Sequence, residues 1–142
     1  MEQLPGMQSW IPTNPTPLEV GRGYDPFEHA DMLGIQVLFR PIRTANELWL
    51  PGHDTLLIRS GMRSVHRRNA CAHGVAHAVL AHEDSRPKHE TQADRMAANN
   101  LIDLDECRDL MQWTPDCHRL AHELGVTTRL MRVFLNVHQL AA

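Results

Sequence analysis

The rhythm of apolar residues changes once along this chain. Up to about residue 60 the apolar stretches are short. Ile35–Phe39 (IQVLF) is a β-branched, apolar run that predicts a strand. Trp49–Leu50 and Thr55–Ile58 predict two strand pieces around the turn Pro51-Gly52-His53-Asp54. A short helix is expected ahead of them over 26–33, with Pro26 in its first turn and Gly34 at its stop. From Ser64 onward the pattern is helical. It predicts helices over Ser64–Ala81, Glu90–Ile102, Asp103–Trp113, Pro115–Leu124 (ended by Gly125) and Thr127–Leu140 (with Thr127 as N-cap). Strands first and helices afterwards make an α+β domain, here a small antiparallel sheet packed by helices. Residues 1–24, with Pro5, Pro12, Pro15 and Pro17, read as an extended, poorly ordered arm. Residues 25–142 then form a single domain.

Composition adds few constraints. The 142 residues are one domain's worth, and 42% hydrophobic with 22% charged is ordinary for a soluble globular chain. A formal net charge of -3 gives no support for nucleic-acid binding. No apolar run approaches the roughly 18 residues of a membrane span, and Met1–Trp10 lacks the features of a signal peptide. Cys71, Cys107 and Cys117 are an odd set without a CxxC pair, which suits free thiols in a reducing, cytoplasmic setting. The exception is histidine. There are ten, and six of them fall between His53 and His89.

Within that region, His73 and His77 stand four apart on a helix of small apolar residues (Ala70, Ala72, Ala76, Val79, Leu80). Spacing of four puts both imidazoles on one helix face, within reach of one metal ion. Buried, unpaired imidazoles would be costly, and a metal would satisfy both. Thirteen residues after His77, Glu90 opens the next helix, whose Ala93 and Ala97 allow close approach to the histidine helix. Two histidines and one glutamate, with a fourth position open to water, is the donor set of a catalytic zinc site. A longer layout with Glu83 as third ligand needs a glycine where Leu80 stands. His122-Glu123 begins a similar motif but has Val126 where the second histidine belongs. His82, His89 and Cys71 are expected to be ordinary surface or core residues.

The order of these features resembles the ImmA/IrrE family of zinc metallopeptidases, found in phages, prophages and other mobile elements. The resemblance rests on a strand pair, Arg63, Arg67 and Arg68, then Ala-His73-x3-His77-Ala-Val-Leu-Ala-His82, a short loop, and Glu90-x-x-Ala-Asp94-x-x-Ala-Ala. It covers roughly residues 27–140. It implies that His73, His77 and Glu90 hold one zinc ion per chain, in a domain of gluzincin type. Asp94 then matches an acidic or amide position that orients a ligand histidine; a solvated helix surface is the other reading of it. The resemblance further implies a repressor or other regulatory protein as substrate or partner, in the cytoplasm of a bacterium or a phage-infected host.

One position departs from the family pattern. The residue after the first histidine is normally a glutamate that takes a proton from the attacking water. Here it is Gly74. Losing a general base costs on the order of 100- to 10,000-fold in rate. Three explanations compete: a natural pseudo-peptidase, a deliberately inactivated variant, or a substitute base, with Glu83 and Asp84 as candidates. A dead or nearly dead peptidase is the expectation. A rival of another class is a helix-turn-helix DNA-binding regulator built on 115–140, with Arg129 and Arg132 on its second helix. Against it stand the acidic chain and a core-facing stripe of Leu130, Val133, Phe134 and Val137.

Overall fold

Why the strands take their order follows from which of them is most apolar. In the computed structural model, which describes residues 19–140, the elements are α1 (Pro26–Met32), β1 (Gln36–Arg40), β2 (Glu47–Leu50), β3 (Thr55–Arg59), α2 (Ser64–Val79), α3 (Pro87–Leu101), α4 (Leu104–Met111), α5 (Cys117–Leu124) and α6 (Thr128–Val137). The fold is α+β, but the sheet is mixed rather than antiparallel. Its order is β1-β3-β2, with β1 parallel and β2 antiparallel to β3. Only β3 carries two fully buried side chains, Leu56 and Ile58, and it takes the centre. Gln36 and Arg40 of β1 are exposed, which suits an edge. The antiparallel expectation paired each strand with the next in the chain. The hairpin β2–β3 does so, but it folds β3 back between β2 and β1.

Helix α2 lies between two cores. Ala70, Cys71 and Val75 pack with Leu56 and Ile58 under the sheet, while Ala72 joins Leu101, Leu120, Leu130 and Phe134 among the helices. Every residue from Asn69 to His77 is buried. A helix hemmed in on all sides has no polar stripe. Its many small residues let both neighbours come close.

Helix α2 stops at Val79, two residues short of expectation. Its end is a Schellman motif: Ala81 N–H donates to Ala78 O (3.1 Å) and His82 N–H to His77 O (3.0 Å), with Ala81 left-handed at φ 57°. Helix α3 begins at Pro87, one turn earlier than expected, yet Glu90 remains in its first turn. Asp103 caps α4, and α5 starts after Asp116, its cap. Thr127 caps α6 as expected, its Oγ1 accepting from Leu130 N–H at 3.3 Å. Along α6, Leu130 and Phe134 face the core, but Val137 is exposed, and Met131 and Leu135 are buried instead. The three cysteines are free, Cys71 and Cys107 buried among apolar neighbours.

Residues 1–18 of the expected arm lie outside the described residues. The folded region reaches back before residue 25, because the Arg68 guanidinium donates to Gly21 O (2.9 Å) and Tyr24 O (3.0 Å), and Tyr24 is buried. No helix among the described residues is long and apolar enough to cross a membrane.

A left-handed alanine is strained where glycine is not. Ala81→Gly is therefore expected to raise stability by about 0.5–1 kcal/mol, read as a higher urea midpoint with an unchanged m-value.

Candidate metal centre

The two imidazoles of α2 point at the first turn of α3. His73 Nε2 and His77 Nε2 lie 3.1 Å apart, and Glu90 reaches both, with Oε1 3.2 Å from His73 Nε2 and Oε2 2.6 Å from His77 Nε2. One donor atom from each of the three residues lies within 4.8 Å of the others, the one such group among the described residues. Four ligands at about 2.0–2.1 Å around a zinc ion stand about 3.3 Å from one another. The observed spacings are close to that edge length, so the donors fit a metal ion. The three residues predicted as ligands are thus brought together.

The far sides of the rings strengthen the fit. His73 Nδ1 is 2.9 Å from Asp94 Oδ1, and neither atom has an aligned hydrogen-bond partner. Asp94 Oδ2 accepts from Arg129 Nη1 at 2.7 Å. His77 Nδ1 lies 2.9 Å from His82 Nδ1, and His82 Nε2 lies 2.8 Å from Gln92 Oε1. One tautomer assignment serves the whole chain. His82 donates from Nε2 to the Gln92 oxygen and so accepts at Nδ1. His77 then donates from Nδ1, and its Nε2 lone pair is left facing Glu90 and His73. If His73 keeps its proton on Nδ1, beside Asp94, both Nε2 lone pairs face the same point. That is the arrangement metal-bound histidines require.

Asp94 therefore touches His73, and the solvated-surface reading is set aside. Arg129, offered as a DNA contact, is instead engaged by Asp94. His82 and His89 correct the expectation of bystanders. His82 is 5% exposed and bonds His77, and His89 stacks on it at 4.1 Å between ring centroids. Counting along a continuous helix places His82 off the ligand face. The left-handed Ala81 ends the helix and turns His82 back. Cys71 faces the sheet-side core, where burial pushes its thiol far up and leaves it inert.

Of the two suggested substitute bases, Asp84 is committed elsewhere. It accepts from the Arg86 backbone and side chain and pairs with His89 at 2.7 Å, and the Arg86 backbone contact leads in pulling its carboxyl down to about 2. Glu83 is exposed on the loop.

A carboxylate that sequence reasoning missed is Glu47. Antiparallel pairing sets Glu47 opposite Ile58 and Trp49 opposite Leu56. Opposed residues share a face of the sheet, so Glu47 points with those buried side chains toward α2. It borders a cleft of about 460 Å³ together with His77 and Glu90. It also borders a second cavity of about 250 Å³ with His73 and Arg129. Burial, with help from Glu90 and against the pull of His73, pushes its carboxyl up to about 7. A trace of this exists in the sequence: Glu47 alternates in phase with Trp49, a charge on the apolar face of a strand. The strand pairing that aims it is not visible there. Around it, burial lowers His77, whereas for His73 the carboxylates of Asp94, Glu47 and Glu90 outweigh burial and the net shift is upward.

Gly74 faces β3. A Cβ there would stand 3.0 Å from Leu56 Cγ and closer still to both its methyls. The missing side chain thus leaves no open space; Leu56 fills it. Glycine also lets α2 approach the sheet closely.

A family model described as the IrrE N-terminal-like domain, Peptidase_M78, matches residues 30–136. No curated protein matches the chain.

Two outcomes follow from this packing. Alanine ordinarily improves a helix interior over glycine by about 1 kcal/mol, but Gly74→Ala is expected to destabilise by about 1–3 kcal/mol through overpacking. In a double-mutant cycle with Leu56→Ala the double variant should lose less stability than the sum of the two single losses. Glu47 binds a proton more tightly folded than unfolded, so it costs stability as pH rises from about 4.5 through about 7. Metal-free Glu47→Gln is expected to match the parent at pH 4 and to exceed it by on the order of 2–3 kcal/mol at pH 8, measured by urea unfolding in chelator.

Proposed function

Because the chain belongs to the IrrE N-terminal-like family, a metallopeptidase-like and zinc-dependent group, we propose that His73, His77 and Glu90 hold one zinc ion and that the cleft beside it receives a segment of a regulatory protein such as a repressor. The observation that carries this reading is the convergence of three donor atoms from α2 and α3, with Asp94 and the His82–Gln92 pair behind the rings. The two imidazole nitrogens lie 3.1 Å apart in a buried stretch of helix, each within 3.2 Å of the Glu90 carboxylate, a spacing that suits ligands on one ion. A bound zinc ion would polarise a peptide carbonyl and make a water more acidic. Asp94 and His82 would hold the rings in the ligating tautomer. The cleft suits an extended peptide: β2 is an edge strand, its outer side unpaired among the described residues, and it lines the cleft.

Peptide hydrolysis by the family's usual route needs a carboxylate on the residue after the first histidine. Gly74 removes it, so that route is closed and the chain keeps the metal and the cleft. The regulatory-protein partner comes from family membership, and the exposed edge of β2 beside the cleft suits an extended segment of it.

The purified protein is expected to carry about one zinc per chain by elemental analysis, and His73→Ala to carry none. His82→Ala and Asp94→Asn should keep the fold and weaken zinc about 10- to 100-fold in a chelator competition. Zinc-free wild-type protein that takes up none on titration would sink the reading.

A further inference from the structure

Position 74 is closed by Leu56, yet one carboxylate still faces the metal centre. We propose that Glu47, carried by the edge strand β2, takes and returns the proton in peptide hydrolysis at this centre, in place of a side chain at position 74. The inference rests on the zinc reading and goes beyond it.

Three observations converge on Glu47. Its register opposite Ile58 turns it to the face of the sheet that covers α2. It borders the cleft on the side of His77 and Glu90 and the cavity on the side of His73. It is not one of the residues whose donor atoms cluster within 4.8 Å. That combination is the place of a group that works through a water rather than of a fourth ligand.

Competing carboxylates are spoken for. Asp94 is held by His73 and Arg129, and Asp84 by Arg86 and His89. Glu83 borders the cleft only at its exposed loop. Glu47 stands close enough to His73, Glu90, Arg129 and Asp94 to interact with each through charge. A half-buried carboxylate on the apolar face of a strand is costly to keep, which favours a use for it.

The step balances simply. The water oxygen bonds to the peptide carbon while one of its protons passes to a Glu47 carboxylate oxygen. That proton leaves on the departing amine as the C–N bond breaks. Peptide and water give acid and amine, and Glu47 ends as it began. A base on the strand side approaches the cleft from the sheet, whereas a helix-borne base would rise from α2.

The test uses zinc and acetohydroxamate, a small chelator whose N–O–H proton a neighbouring carboxylate accepts. Wild type, Glu47→Gln and Glu47→Asp are purified, their zinc counted, and acetohydroxamate titrated by calorimetry. Glu47→Gln is expected to keep about one zinc and to bind acetohydroxamate about ten-fold or more weakly, with Glu47→Asp between it and wild type. Equal affinity of the zinc-loaded Glu47→Gln and wild type overturns this inference alone. Loss of zinc from folded Glu47→Gln also overturns it, since Glu47 would then be a ligand. A wild type that binds no zinc overturns the metal reading and this inference with it.

Discussion

Everything in this fold answers to one constraint: two imidazoles sit inside a helix that is buried on every side. From Asn69 to His77 every residue of α2 is buried. Buried polar groups must be paired, and here the pairing comes from three directions. Glu90 approaches from α3, Asp94 from one turn further along it, and His82 from the reversal after Ala81. The close packing of α3 on α2 is therefore chemical as well as hydrophobic. Ala93 and Ala97, both fully buried, keep that interface thin enough for short carboxylates to span it.

The sheet meets the same helix from the other side, and there the fit is steric. Leu56 occupies the volume that any side chain at position 74 would need. The centre is thus asymmetric. Its α3 side is polar, with Glu90, Asp94 and Gln92 set against the histidine rings, while its sheet side is apolar except for Glu47. A charge left on the apolar face, at a cost that grows as pH rises from about 4.5 and is complete above about 7, is the pattern by which functional carboxylates depart from rules of stability.

How much of this could be seen in the sequence depends on how local the geometry is. The His73–His77 pair is a property of one helix, and Glu90 lies in the first turn of the next, so spacing alone exposes them. Most helix boundaries were legible from caps such as Thr127 and stops such as Gly125. Strand order was not, because β3 returns between β2 and β1 and that choice is made by tertiary burial of Leu56 and Ile58. Glu47 was hidden for the same reason: its aim depends on being opposite Ile58. His82 was hidden because an alanine, not a glycine, takes the left-handed position that ends α2. Leu56 was invisible as the occupant of position 74's space, since the two residues meet only across a helix–sheet interface.

The Schellman end of α2 has one more consequence, for chain length. The motif sets His82 five residues beyond His77, both by its own hydrogen bond from His82 N–H to His77 O and by the ring contact it delivers. A single insertion or deletion between them would shift the second ring out of reach while leaving all ligands in the chain. The loop beyond His82, up to Arg86, has no such registration with α2. A change of length after His82 therefore leaves the ring contact in place, whereas one among the four intervening residues breaks it.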